Sequence, residues 1–294
     1  MRYTTDKIKQ EISESIPCEF AGIINQIDFD DLREVRFRAG QKMMLYYGTK
    51  TLQLGNIVSH QKILEIFESF CKSSVYAYLN EIKNGFLTLA GGHRIGICGE
   101  CAVKNGEITN IYNISGLNIR IAREYIGCAK KIIPYINDNG ILKNTIIIAP
   151  PACGKTTMLR DIARTLSRTM KVTVVDERDE MCSMCDGVPQ FDIGPQTDVY
   201  SKAPKALGIT MALRSLSPDV IITDEVGTNE DISAILKALG AGCGIVTSIH
   251  GYSTDSIKES KGKLLSLFDI AIELKKENGV PKISNIIEME KTYD

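Results

Sequence analysis

The segment Thr145-Ile-Ile-Ile-Ala-Pro-Pro-Ala-Cys-Gly-Lys-Thr-Thr157 constrains this chain more than any other. A short, wholly apolar run reads as a strand buried on both faces, as strands of parallel sheets are. The turn after it meets the pattern G-x-x-x-x-G-K-[ST] at every defined position but the first, where Ala149 stands for glycine. That pattern works only between a strand and a helix, because backbone N–H groups and the helix N-terminus must converge on an anion. The predicted phosphate-binding loop is therefore Ala149, Pro150, Pro151, Ala152, Cys153, Gly154, Lys155, Thr156 and Thr157. Gly154 lets the backbone approach the phosphates, Lys155 reaches the β- and γ-phosphates, and the Thr156 hydroxyl is the expected Mg²⁺ ligand. Ala149 is compatible with the loop if its φ is negative. A Gly-Lys-Thr in an ordinary strand-to-helix turn is the competing reading, and the flanking elements disfavour it.

The apolar texture recurs at Lys171-Val-Thr-Val-Val-Asp176, Asp219-Val-Ile-Ile-Thr-Asp224 and Gly244-Ile-Val-Thr-Ser-Ile249. Helical stretches near 155–169, 201–216 and 229–240 separate these runs. The β-α alternation predicts an α/β, RecA-like P-loop NTPase domain with a mainly parallel sheet over 141–294, closed by an apolar strand near 267–274. Upstream, residues 1–126 read as a small α+β domain. Ser59 is the expected N-cap of an amphipathic helix over 59–79, and 85–91, 94–103 and 108–114 are β-prone runs between glycine-containing turns. A linker helix over 127–140, ending in Asp-Asn-Gly, joins the two domains.

Phosphoryl transfer needs a metal-holding carboxylate and a group that activates water. Asp224 and Glu225 end an apolar strand in the manner of a Walker B motif; Asp224 is expected to hold Mg²⁺ through water and Glu225 to act as general base. Asp176-Glu177-Arg178-Asp179-Glu180 ends a second strand, so Asp176 or Glu177 faces the same crevice and is expected to position water, whereas Asp179 and Glu180 read as a solvated turn. His250 also follows a strand; sensing of the γ-phosphate and a structural role are equally open. Arg214 either pairs with a site carboxylate or sits on an exposed helix face.

A net charge of −1 over 294 residues gives no global bias toward nucleic acid or membranes. With pI near 6.4, no tryptophan and no basic stripe interleaved with aromatics, nucleic acid is an unlikely partner. No run of ~18 apolar residues could span a bilayer and the N-terminus has no apolar h-region, so the chain reads as cytoplasmic. Nine cysteines, an odd count, suit reduced thiols. Cys98/Cys101 and Cys182/Cys185 have CxxC spacing, but their separation disfavours a zinc site. Cys153, at a helix N-terminus, is expected to be a reactive thiol. A GTPase is disfavoured because no Asn-Lys-x-Asp segment follows the loop.

The runs Val175-Asp-Glu-Arg178, Gly187-Val-Pro-Gln190, Thr197-Asp-Val199, Pro204-Lys-Ala206, Arg214-Ser-Leu-Ser-Pro-Asp-Val-Ile-Ile-Thr-Asp-Glu225 and His250-Gly251 resemble the stage III sporulation protein AA family. So do Glu34-Val-Arg-Phe-Arg-Ala-Gly40, Gly91-Gly-His-Arg-Ile-Gly96 and Gly116-Leu-Asn-Ile-Arg-Ile-Ala-Arg-Glu124. That family is related to the secretion-superfamily ATPases of type II and type IV systems. The resemblance spans roughly residues 34 to 251. It implies an ATP- and Mg²⁺-dependent ATPase, a homo-hexameric ring, that powers or assembles a channel between mother cell and forespore, held at the membrane by membrane-protein partners. It also implies that arginines of the N-terminal domain serve the phosphates; Arg94 and Arg120 occupy matching places, with Arg123 a third. Taken alone, these are basic residues at strand ends, suited to the role by a planar fork that matches phosphate oxygens. Ala149 departs from the glycine usual in the family. A nucleic-acid-handling P-loop ATPase and a non-hydrolysing scaffold that uses ATP to hold a ring remain the alternatives.

Overall fold

The computed structural model describes residues 5–48, 50–72, 74–277 and 280–289. The chain divides into two compact units, Met1–Glu124 with Ser183–Gln190, and Tyr125–Cys182 with Phe191–Asp294.

The first unit is built on a six-stranded antiparallel sheet in the order Thr51–Val58, Gln41–Tyr47, Leu32–Arg38, Glu107–Arg120, Arg94–Lys104, Phe86–Thr88. Alternation along each strand sends one set of side chains into a core: Val35, Phe37, Leu45, Ile95, Ile97, Leu117 and Ile119 are buried there. Helices Thr5–Ser15, Cys18–Ile24 and His60–Phe70 close that core with Ile8, Ile12, Phe20, Ile63 and Phe67 among others. Ser59 caps the third of these helices, its Oγ accepting from the Lys62 amide at 3.2 Å. The helix stops at Phe70 and does not run on to 79, because Lys72 turns left-handed at φ +47. The long hairpin of Arg94–Lys104 and Glu107–Arg120 turns at Asn105 and Gly106, both at positive φ, the conformation two-residue hairpin loops require.

The segment Ser183–Gln190 is a hairpin, Met184–Cys185 against Val188–Pro189, that belongs to the first unit although its neighbours in sequence belong to the second. The Gly91 amide donates to Gln190 Oε1 at 2.9 Å and Lys72 pairs with Asp186 at 2.6 Å.

The second unit carries a seven-stranded sheet in the order Thr197–Ser201, Val172–Asp176, Val220–Thr223, Gly244–His250, Thr145–Ala149, Ile270–Glu277, Val280–Glu288. The first six are parallel and the last is antiparallel. Every residue of Thr145–Ala149, Val172–Asp176 and Val220–Thr223 is buried, which explains their unbroken apolar texture. Helices Lys155–Leu166, Lys205–Ser215 and Asn229–Gly240 connect them. The second begins at Lys205 and not at 201, since Thr197–Ser201 is a strand and Pro204 caps the helix that follows. The closing strand starts at Ile270 and not at 267, because Leu267 and Phe268 donate back to Leu264 and Leu265 to finish helix Thr254–Leu265. The helix expected over 127–140 is reduced to Ile133–Ile136. Gly127 sits at φ +87 and Pro134 has no amide for a preceding turn; Asn139 and Gly140, both left-handed, then reverse the chain between Asn137–Asp138 and Ile141–Leu142. Among the described residues no helix is long and apolar enough to cross a membrane.

After Thr145–Ala149 the chain crosses over the strands Gly244–His250 and Val220–Thr223 before re-entering the sheet at Val172. Such a reversal leaves a crevice at the carboxyl ends of the strands, where ligands of open α/β sheets sit.

Candidate functional site

Three carboxyl ends meet at that crevice. His250 pairs with Ala149 in register, and Val175 pairs with Thr223, so the segments after Ala149, Thr223 and Asp176 emerge on one edge. Ala149 is fully buried and is not among the left-handed residues; within the loop these are Ala152 at φ +54 and Gly154 at φ +79. The methyl at 149 thus meets the condition set for it. The strain lies at Ala152, and backbone strain of this kind collects at ligand clamps. The first amide to close a helical bond is that of Met158, which donates to Gly154 at 2.9 Å. The amides of Lys155, Thr156 and Thr157 precede it and are the unsatisfied donors of the helix N-terminus. Cys153 is wholly buried, which corrects its expected reactivity: no reagent reaches the sulfur.

Lys155 is only 5% exposed. Its Nζ donates to the carbonyls of Ala149 (3.1 Å) and Pro150 (3.2 Å) and to His250 Nδ1 (2.9 Å). An ammonium can only donate, so Nδ1 is the accepting nitrogen, and the proton on Nε2 points at Glu225 Oε1, 2.8 Å away. The other oxygen of Glu225 lies 2.9 Å from Arg178 Nη1. A continuous path thus runs Lys155, His250, Glu225, Arg178. Burial pulls the Lys155 ammonium below its usual pKa, and the Glu225 charge opposes this. Glu225 itself is left-handed at φ +42 and is held there by strand Gly244–His250: its amide donates to Ser248 Oγ at 3.2 Å, and the Val226 amide to the Ser248 carbonyl at 3.0 Å.

Asp224, one residue earlier, is 2% exposed, and its Oδ1 is buried with no hydrogen-bond partner among the described residues. Burial raises its pKa, and the nearby Lys205 opposes this most. A buried carboxylate oxygen left without a donor fits a hydrated divalent cation, so Asp224, with Thr156 at the head of the helix, suits Mg²⁺.

Asp176 does something other than position water. Its oxygens accept from the amides of Glu180 (2.9 Å), Met181 (2.9 Å) and Cys182 (2.8 Å), folding the turn after the strand. Arg160 clamps the same turn through the carbonyls of Met181 and Glu180 and stacks 3.6 Å over Phe191. Asp179 is also not solvated: it is 5% exposed and accepts from Ser201 Oγ at 2.9 Å. Glu177 pairs with Lys205, an almost buried lysine that opens helix Lys205–Ser215. Sequence reasoning missed Lys205, because only the register of its strand and helix brings it to the crevice. Arg214 is on the exposed face of that helix.

Arg94 and Arg120 belong to the first unit, directly opposite each other on adjacent strands. Arg123 is structural: its guanidinium donates to the carbonyls of Phe29 and Leu32 and fixes the turn into strand Leu32–Arg38.

A sequence model of the family described as sporulation stage III, protein AA matches residues 6–291. The chain belongs to this family. Stage III sporulation protein AA of Bacillus subtilis (strain 168) is 37% identical over 290 residues, 94% of either chain. The uncharacterized protein ycf45 of Cyanidium caldarium is 32% identical over 164 residues, 54% of this chain and 47% of that one. Among solved structures, the pilus retraction motor PilT with bound ADP superposes with a TM-score of 0.61 at 13% identity, covering 99% of this chain and 84% of that one. The Legionella pneumophila ATPase DotB superposes at 0.54 with 16% identity, covering 94% and 77%. This sporulation stage III protein therefore has the RecA-like fold of secretion ATPases preceded by a small α+β domain.

Proposed function

We propose that this sporulation protein binds ATP with Mg²⁺ at the 149–157 loop and hydrolyses it. The reading rests on one set of contacts: Lys155 joined to Glu225 through His250, beside the unpartnered Asp224 oxygen. The amides of Lys155, Thr156 and Thr157 and the helix N-terminus bind the phosphate chain, and Gly154 gives it room. Lys155, held by two carbonyls and an imidazole, can exchange those neutral acceptors for phosphate oxygens, a stronger charge-assisted bond. Asp224 and Thr156 would hold Mg²⁺, which would supply neutralisation of the negative charge on the phosphates. Glu225 orients the attacking water and takes its proton. Because His250 touches both Lys155 and Glu225, release of Lys155 toward phosphate changes the hydrogen bonding of the base. Glu177, paired with Lys205, adds a further carboxylate after strand Val172–Asp176.

We further propose that the chain works as a homo-hexameric motor in the cytoplasm, engaged with membrane proteins, that powers or assembles a sporulation channel between mother cell and forespore. Family membership and the fold of secretion ATPases support this. Equilibrium titration with ATP tests the binding step: wild type binds in a Mg²⁺-dependent manner and Lys155→Ala does not. Equal affinity in the two proteins would remove the loop from nucleotide recognition.

A further inference from the structure

Lys205 sits where elementary energetics disfavour it. It is the first residue of helix Lys205–Ser215, where the positive end of the helix dipole repels an ammonium. It is also only 8% exposed, so its charge is largely removed from water. A residue that breaks two local rules at once marks a functional position.

Several contacts hold it there. Strand Thr197–Ser201 ends with Ser201 opposite Asp176, and the Lys202 amide pins the turn that follows by donating to the Asp176 carbonyl at 2.8 Å. One turn into the helix, on the same face as Lys205, comes Gly208, where a Cβ would lie 2.5 Å from Val175 Cγ1. The missing side chain lets the helix press on strand Val172–Asp176 close to the end from which Glu177 emerges. There the Lys205 ammonium donates to Glu177 Oε2. Among the described residues Glu177 has no second hydrogen-bond partner, which leaves Oε1 for water. Asp224 follows the adjacent strand Val220–Thr223 and feels the charge of Lys205 more strongly than that of any other group. Lys155 is held differently, by two carbonyls and an imidazole, neutral acceptors that phosphate oxygens displace. Lys205 is held by a carboxylate, so its charge stays where it is.

We propose that Lys205 is a positioning residue, the resident cation of the crevice, which fixes Glu177 so that Oε1 orients water and which competes with the metal for Asp224. Glu225 remains the base, its two oxygens engaged by His250 and Arg178. The role at water rests on the hydrolytic reading above, whereas the competition at Asp224 needs only metal binding.

The test compares full-length wild type with Lys205→Met, which keeps an unbranched stem without the charge, Lys205→Arg, which keeps the charge, and Glu177→Gln. Phosphate release from ATP gives kcat, and equilibrium ATP titration at stepped Mg²⁺ gives the Mg²⁺ concentration that half-saturates binding. Lys205→Met is expected to lower kcat about 100-fold as the carboxylate loses its fixed place. The same variant is expected to lower the half-saturating Mg²⁺ about fivefold, because the competing charge is gone. Lys205→Arg is expected to stay within about fivefold of wild type in kcat and to keep its Mg²⁺ requirement. Glu177→Gln also slows turnover but frees the ammonium toward Asp224, so the half-saturating Mg²⁺ is expected to rise. A purely structural lysine would lower stability without tightening metal binding. Unmoved kcat and Mg²⁺ requirement in Lys205→Met would overturn the role, as would Mg²⁺ shifts of the same sign in Lys205→Met and Glu177→Gln. So would a loss of ATP affinity at unchanged kcat, which would make Lys205 a phosphate ligand. A wild type that binds ATP and Mg²⁺ but turns over none would sink the hydrolytic reading; opposite Mg²⁺ shifts in the two variants would then sustain the resident cation, and their absence would overturn it.

Discussion

Lys155 and Glu225 are joined through the two nitrogens of one imidazole, with His250 Nδ1 2.9 Å from the ammonium and Nε2 2.8 Å from the carboxylate. No other side chain of similar size offers an acceptor and a donor on opposite edges of one rigid ring. His250→Ala is expected to lower kcat by about 100-fold through misplacement of the base, with KM for ATP changed less than threefold. Steady-state kinetics separates the two; a purely structural histidine would leave kcat intact or unfold the protein.

Glu225→Gln keeps the size of the side chain and its strained backbone but removes the base. Turnover is expected to fall by ~10²–10⁴-fold while ATP affinity stays within threefold, read by phosphate release and titration. Arg178→Ala, by contrast, removes a partner that is more than half exposed, and its stability effect is expected to stay within ~1 kcal/mol by chemical denaturation.

Asp176 supplies a pH signature. Burial pushes its carboxyl up to about 6, and the backbone amides of Cys182 and Glu180 only partly oppose this. The folded state therefore holds a proton that the unfolded chain releases near its ordinary pKa of 3.8. The native state binds more protons across that window, so this group's contribution to stability declines as pH rises from about 4 to about 6, and is constant above. The difference in unfolding free energy between wild type and Asp176→Asn is expected to shrink over that window by up to about 3 kcal/mol. Denaturation curves at stepped pH check it; a pH-independent difference would mean that Asp176 is ionised throughout.

Gly154 is doubly constrained. It is left-handed at φ +79, and a Cβ there would sit 3.1 Å from Pro281 Cγ, on the strand Val280–Glu288. Gly154→Ala is expected to destabilise by about 1–2 kcal/mol from φ alone and to lose ATP binding. Adding Pro281→Gly removes both close contacts, with Cγ and with Cβ at 3.2 Å, but not the backbone strain, so thermal melting should show partial recovery of stability without recovery of binding.

The second unit was legible because its strands are buried on both faces and therefore apolar throughout, as Ile146, Ile147 and Ile148 show. The strands Leu32–Arg38 and Gln41–Tyr47 were not, since alternation with Arg36, Arg38 and Lys42 breaks the apolar run. Asp176 and Asp224 look alike in sequence, each ending an apolar strand. Only the amides folded around one, and the Oδ1 of the other that finds no hydrogen-bond partner among the described residues, tell a turn former from a metal-holding carboxylate. The hairpin Ser183–Gln190 was invisible as part of the first unit because a linear division cannot place an insertion in the other unit.

The central claim is that Lys155 and Glu225 belong to one ATP-hydrolysing site. Mg²⁺-dependent phosphate release from ATP, measured side by side on wild type, Lys155→Ala and Glu225→Gln of matched oligomeric size, tests it directly. Release by wild type that requires Mg²⁺ and is lost in both variants is the expected result. Release that persists in either variant, or none from wild type that binds ATP, would contradict it.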